Sequence, residues 1–220
     1  MIKQKVVVII PAYNEEKTIV HVIDVVRSCP LVDQVIVVSD GSKDHTAEVA
    51  RHAGATTFPL ETNRGKGGAM LYGVKQTDAT VLVFLDADLI GLTKEHVEQL
   101  VLPVLSGTDM MHVGVIDRGR CVTRLMHVLP LISGQRAMKR SVIESIPPTF
   151  LQGFMVEPAL NFACRSKKWR IGISDLAGLD IRRKFQKVRP DKAVIQYLSM
   201  STQILWSMAV VRAAHLLNRF

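Results

Sequence analysis

The chain alternates short apolar runs with stretches of helical periodicity. Residues 6–10 are apolar at every position until Pro11 ends the run. From 15 to 28, Ile19, Val22, Ile23, Val25 and Val26 recur at helical spacing. A second apolar run covers 35–38, and a second helix over 44–53 is closed by Gly54. A short strand at 56–59, a helix over 67–75 and an apolar run at 81–85 follow. Strands that are apolar on both faces need cover on both sides, and the intervening helices supply it. The pattern therefore predicts an α/β fold, doubly wound, with a Rossmann-like and mostly parallel sheet.

The second half is less regular. It predicts helices over 95–105, 124–132 (interrupted by Pro130), 142–145 and 157–167, and strands over 111–115 and 170–176. The tail is apolar at Ile195, Leu198, Ile204, Leu205, Trp206, Val210 and Leu216, but Gln196, Gln203, Arg212 and His215 interrupt it. That mixture is too polar to span a membrane. It reads either as an amphipathic interfacial helix or as a helix packed on its own domain or on a second subunit.

Composition narrows the function. Of 220 residues, 48% are hydrophobic, too many for a disordered chain. The net charge of +8 attracts anions, yet only 5% of residues are aromatic, so stacking platforms for nucleic acid are sparse. Phosphorylated small molecules or lipid headgroups are the better partners, and no nucleic acid is expected. Cys29, Cys121 and Cys164 have no metal-ligand spacing and suit a reducing compartment. The run at 6–10 is too short for an export signal. The expectation is a cytoplasmic protein, peripheral on the inner membrane face if the tail binds lipid.

In a doubly wound sheet, ligands bind beyond the carboxyl ends of the strands. Three strand ends here carry polar residues: Pro11-Ala12-Tyr13-Asn14-Glu15, Ser39-Asp40-Gly41-Ser42 and Asp86-Ala87-Asp88. Singly, each has a bland alternative: Asn14 or Asp44 as a helix cap, Gly41 as a turn. The Asp86-x-Asp88 pair offers oxygen ligands to Mg²⁺ or Mn²⁺, which can offset charge on a departing diphosphate. Lys66, within Asn63-Arg-Gly-Lys-Gly-Gly-Ala69 before a helix, suits a phosphate. That stretch lacks P-loop spacing, and no G-x-G-x-x-G follows the first strand. The seven histidines are scattered, and order alone supports no Ser-His-Asp set.

Four segments in order, Ile10-Pro-Ala-Tyr-Asn-Glu-Glu16, Val38-Ser-Asp-Gly-Ser-Lys-Asp44, Asn63-Arg-Gly-Lys-Gly-Gly-Ala-Met70 and Phe84-Leu-Asp-Ala-Asp-Leu89, resemble the signature of family 2 glycosyltransferases with the GT-A fold. Ser133-Gly-Gln-Arg-Ala-Met-Lys-Arg140 and Gly153-Phe-Met-Val-Glu-Pro-Ala-Leu160 resemble acceptor-side segments of a small bacterial subgroup, related to dolichyl-phosphate mannosyltransferase-like and glucosyl-phosphoglycerate synthase-like enzymes. The resemblance implies a GT-A domain over 1–190 (nucleotide-sugar half 1–105, acceptor half 106–190) and a helical tail over 191–220. It implies a nucleotide-diphospho-sugar donor, UDP-linked ahead of GDP-mannose. Ala12, Tyr13 and Glu15 would line the nucleoside pocket, with Asp40 on the base, and Pro11, Gly41 and Ala87 would belong to the same nucleotide-sugar site. Lys66 would approach the diphosphate, Asp86 would face ribose or metal, and Asp88 would bind metal. Asp180 would stand where such enzymes often place a histidine ligand.

On the acceptor side, Glu157 reads as a general base, as a group orienting the donor sugar, or as a helix-start carboxylate. Arg118, Arg120 and Arg136 are candidates for an acceptor phosphate, and solvated arginines are the alternative for the first two. A lipid-phosphate or other phosphorylated acceptor fits, and the tail leaves room for a homo-oligomer. Two rivals share these features: a sugar-nucleotide nucleotidyltransferase and an inactive nucleotide-sugar-binding protein.

Overall fold

A computed structural model describes residues 4–116 and 133–181. Arg118, Arg120, the helix expected over 124–132 and the tail lie outside them. Among the described residues, seven strands form one sheet in the order β3-β2-β1-β4-β7-β6-β8. These are β1 (Val6–Ala12), β2 (Gln34–Asp40), β3 (Thr56–Leu60), β4 (Val81–Phe84), β6 (Met111–Ile116), β7 (Arg136–Lys139) and β8 (Ile171–Leu176). A two-residue β5 (Leu89–Ile90) pairs with β9 (Asp180–Ile181) in a separate small sheet. The first four strands of the large sheet are mutually parallel, and β6 and β8 are parallel to each other. Strand β7 runs antiparallel to both β4 and β6.

The uniformly apolar strands explain the layering. Side chains alternate across a strand, so Val6, Val8 and Ile10 enter one core with Ile19, Val22, Ile23 and Val26 of α1 (Ile19–Ser28) and Val97, Leu100 and Val101 of α4 (Lys94–Leu105). Val7 and Ile9 enter the opposite core with Ala69, Met70 and Val74 of α3 (Gly65–Lys75) and with Val156, Ala159 and Leu160 of α6 (Val156–Ser166). Helix α2 (Thr46–His52) covers the first face and α5 (Arg140–Glu144) the second. Each buried Val, Ile or Leu contributes about 1.5–3 kcal/mol of transfer free energy before chain entropy is subtracted.

Three features differ from the pattern-based expectation. Helix α1 starts at Ile19 because the preceding backbone is bonded elsewhere: Glu15 N donates to Thr46 Oγ1 at 2.8 Å and Glu16 N to Asp44 Oδ2 at 3.3 Å. Strand β7 was not foreseen, because Arg-Ala-Met-Lys has no β-branched residue and its pairing comes wholly from β4 and β6. The third feature is a side-chain bridge to the edge strand β8. Asp109 Oδ2 lies 2.7 Å from His112 Nδ1, and His112 Nε2 lies 2.8 Å from Ser174 Oγ. A carboxylate only accepts, so in the neutral ring Nδ1–H donates to Asp109 and Nε2 accepts from the Ser174 hydroxyl. The Arg170 guanidinium adds an ion pair to Asp109 at 3.0 Å.

Candidate functional site

The carboxyl ends of β1, β2 and β4 meet at one rim, as the parallel pairing of β1 with both neighbours requires. Tyr13 stands 47% exposed there, while Ala12 is buried at the strand end. The loops after β1 and β2 are cross-bonded. Asn14, at φ 55°, donates from its backbone N–H to Ser42 Oγ and accepts from Lys43 N at its side-chain Oδ1, at 3.1 and 2.8 Å. Asp44 accepts from the Thr46 hydroxyl and amide. Burial works against its charge, but those hydrogen bonds and that from Glu16 N together hold the carboxyl below its usual range. Gly41 adopts φ 70°, and a β-carbon there would lie 2.6 Å from Asn63 N, so the β2 turn and the loop before α3 pack backbone to backbone. Asp40 is buried and accepts from Arg64 N at 2.7 Å. Its expected place beside a base is thus also a structural anchor for the lysine loop.

That anchored loop delivers Lys66 in the first turn of α3. Its ammonium lies 2.7 Å from Asp86 Oδ1, just past β4, and 3.2 Å from Glu157 Oε1 in the first turn of α6. Burial disfavours the ammonium, but Asp86 and Glu157 outweigh it and raise the Lys66 pKa well above its ordinary value. Burial likewise disfavours the Asp86 carboxylate, and Lys66, the Gln135 amide and Arg136 together pull its pKa down. Three residues expected in the site from separate segments are therefore in direct contact. Ala87 is buried beside them and Asp88 is partly exposed at the rim.

Arg136 is a correction. An arginine that binds an acceptor phosphate must be reachable, and Arg136 is 0% exposed. Its Nε donates to Ser133 O at 3.0 Å, its Nη2 to the same oxygen at 2.5 Å, and its Nη1 faces Asn161 Oδ1 at 3.5 Å. Burial lowers its pKa, offset in part by Glu157. It is an internal strut beneath Glu157.

The residues expected to bind metal are only partly gathered. Asp180 sits opposite Ile90 in the small sheet, close in topology to the Asp86-x-Asp88 turn, but its exposed carboxylate accepts from Ile181 N at 2.8 Å. Among the described residues, no three His, Cys, Asp or Glu side chains form a metal-holding group. Asp86 and Asp88 are hard oxygen ligands at one turn, a set that suits Mg²⁺ or Mn²⁺ when substrate oxygens and water complete the shell. The residue that pattern reading passed over is Gln135, whose Nε2 donates to Asp86 Oδ2 at 2.8 Å. It lies within the Ser133–Arg140 segment, and only the pairing of β7 with β4 connects it to Asp86.

Comparison with known proteins decides the family. The description "Glycosyl transferase family 2" matches residues 7–170, about three quarters of the chain. The chain belongs to glycosyl transferase family 2. Glucosyl-3-phosphoglycerate synthase of Mycobacterium tuberculosis is 29% identical over 221 aligned positions, covering 83% of this chain and 67% of the relative. The crystal structure of that synthase with Mn²⁺, UDP-glucose and phosphoglyceric acid superposes with a TM-score of 0.79 at 28% identity, covering 94% of this chain and 79% of the other. A 4,4'-diaponeurosporenoate glycosyltransferase of Staphylococcus aureus is 39% identical over 99 residues, 43% of this chain and 26% of the relative. This protein is a family 2 glycosyltransferase with the GT-A fold. Glycosyl transfer is thereby favoured over both rivals.

Proposed function

We propose that this glycosyltransferase moves glucose from UDP-glucose to a small phosphorylated hydroxy acid of the phosphoglycerate type, with Mn²⁺ or Mg²⁺ at Asp86 and Asp88. The observation that carries the reading is Lys66 lying between Asp86 and Glu157 at 2.7 and 3.2 Å, where a diphosphate, a cation and a sugar would meet. The similarity to a synthase crystallised with Mn²⁺, UDP-glucose and phosphoglyceric acid supports the donor and acceptor classes.

In this reading the protein's own groups divide the work. Tyr13 and the cross-bonded loops hold the nucleoside at the rim. Lys66 offers positive charge to the diphosphate oxygens as they take up charge on leaving the anomeric carbon. The cation, when bound, supplies further electrostatic stabilisation of that diphosphate. Glu157, 7% exposed in the site wall, either accepts the attacking hydroxyl's proton or bonds a sugar hydroxyl. Glu157→Gln separates the two: a fall in kcat at constant donor KM marks the base, and a rise in donor KM marks the sugar contact. Arg118 and Arg120 remain the proposed acceptor-phosphate ligands, and Asp180 a proposed third metal ligand.

The test supplies UDP-glucose and 3-phosphoglycerate with Mn²⁺ and follows UDP release and product mass. The expected product is one hexose heavier than the acceptor. GDP-mannose, glycerol 3-phosphate and anionic lipid run as parallel substrates, and preference for any of them would redraw the specificity. Asp88→Ala should lose at least about 100-fold in turnover with an unchanged melting temperature; full activity would sink the metal assignment.

A further inference from the structure

Asp86 is held by two partners of different kinds. Its Oδ1 faces the Lys66 ammonium, and its Oδ2 accepts from Gln135 Nε2 at 2.8 Å. Because a carboxylate only accepts, the amide nitrogen must face Asp86 and the amide oxygen must face away. There Ser133 Oγ meets Gln135 Oε1 at 2.7 Å. The backbone is pinned as well, since Gln135 O accepts from Gly114 N of β6 at 2.9 Å. Gln135 is only 2% exposed, so this amide has little freedom to turn.

The topology explains how it arrives. Strand β7 runs antiparallel to β4 with Arg136 opposite Phe84, so residues just before Arg136 return alongside those just after Phe84. Gly134 passes so close that a β-carbon there would lie 2.4 Å from Asp86 Oδ2 and 2.5 Å from Lys66 Nζ. The chemistry of the partner also matters. A second cation at Oδ2, added to Lys66 at Oδ1, would repel an incoming metal ion. A neutral amide fixes the oxygen's direction without adding positive charge, so the carboxylate can still meet an incoming cation or ribose hydroxyl.

We infer that Gln135 is a positioning residue of the donor site: it aims the Asp86 carboxylate, and Gly134 keeps the space above it clear. The inference rests on the donor-binding reading of Asp86.

Two variants test it. Gln135→Met removes the donor at similar length, and Gln135→Asn keeps the amide but shortens its reach. UDP is titrated calorimetrically at neutral pH over a series of Mn²⁺ concentrations, and melting temperatures report folding. Both variants are expected to weaken UDP binding about tenfold, the usual loss for a hydrogen bond to a charged group, and to raise the Mn²⁺ concentration that UDP binding requires. A merely structural glutamine would move the melting temperature and leave the Mn²⁺ dependence where it is. Folded variants with wild-type UDP affinity and wild-type Mn²⁺ dependence would overturn the inference alone. If the Met variant does not fold, the Asn variant decides by the same readouts. A wild type that binds no UDP at any Mn²⁺ concentration would overturn the donor reading and this inference with it.

Discussion

Lys66 carries one positive charge against two carboxylates, and its ion pair with Asp86 is only partly sheltered, with side chains 30% and 28% exposed. The two shifts act at opposite ends of the pH scale. Asp86 has a depressed pKa, so its contribution is complete above about pH 4 and is lost as pH falls below that. Lys66 has a raised pKa, so its contribution is complete below about pH 10 and is lost as pH rises through the raised value. Lys66→Met should therefore cost about 1–3 kcal/mol at neutral pH, less than a fully buried pair because solvent screens it. Urea unfolding at neutral and acid pH checks this: the two proteins should converge as Asp86 protonates. Arg136→Ala leaves a cavity and removes a buried positive charge beside Glu157. It should cost about 3–5 kcal/mol in urea unfolding, and any surviving activity should keep its acceptor KM.

At the scale of elements, the loops at the rim were legible and the strand behind them was not. The ends of β1, β2 and β4 announce themselves through apolar runs that stop at Pro11, Ser39 and Asp86. The start of α1 was misplaced because Glu15 and Glu16 have helix-compatible side chains, while tertiary bonds to Thr46 and Asp44 claim their amides. Strand β7 carries no local signal, yet it brings both Gln135 and Arg136 to the site. The His112 bridge is also a long-range device, joining β6 to Ser174 across 62 residues of chain. His112→Ala should cost about 2 kcal/mol, since it leaves the buried Asp109 Oδ2 without its hydrogen-bond donor and loosens the edge strand. Hydrogen exchange at β8 should accelerate more than at β1, which is the measurement that separates local from global loss.

For the molecule as a whole, the net charge of +8 and the proposed tail helix over 191–220 make one prediction. If the tail binds lipid, flotation with anionic vesicles carries the full chain at low salt and releases it at high salt, while a chain left behind at low salt favours a helix packed on its own domain or on a second subunit. No helix among the described residues is long and apolar enough to cross a membrane. Local sequence pattern alone specifies the layered α/β fold, the rim, the Asp86-x-Asp88 turn and the lysine loop. Those features depend on local periodicity and on strand ends, where a few adjacent residues specify both geometry and chemistry. Only the tertiary structure decided that Arg136 is an internal strut, that Gln135 holds Asp86, and that Lys66 touches Asp86 and Glu157 together. Each of those facts depends on pairing between segments distant in the chain. Such pairing is set by burial of both sheet faces and by the antiparallel return of β7, and no local pattern encodes either.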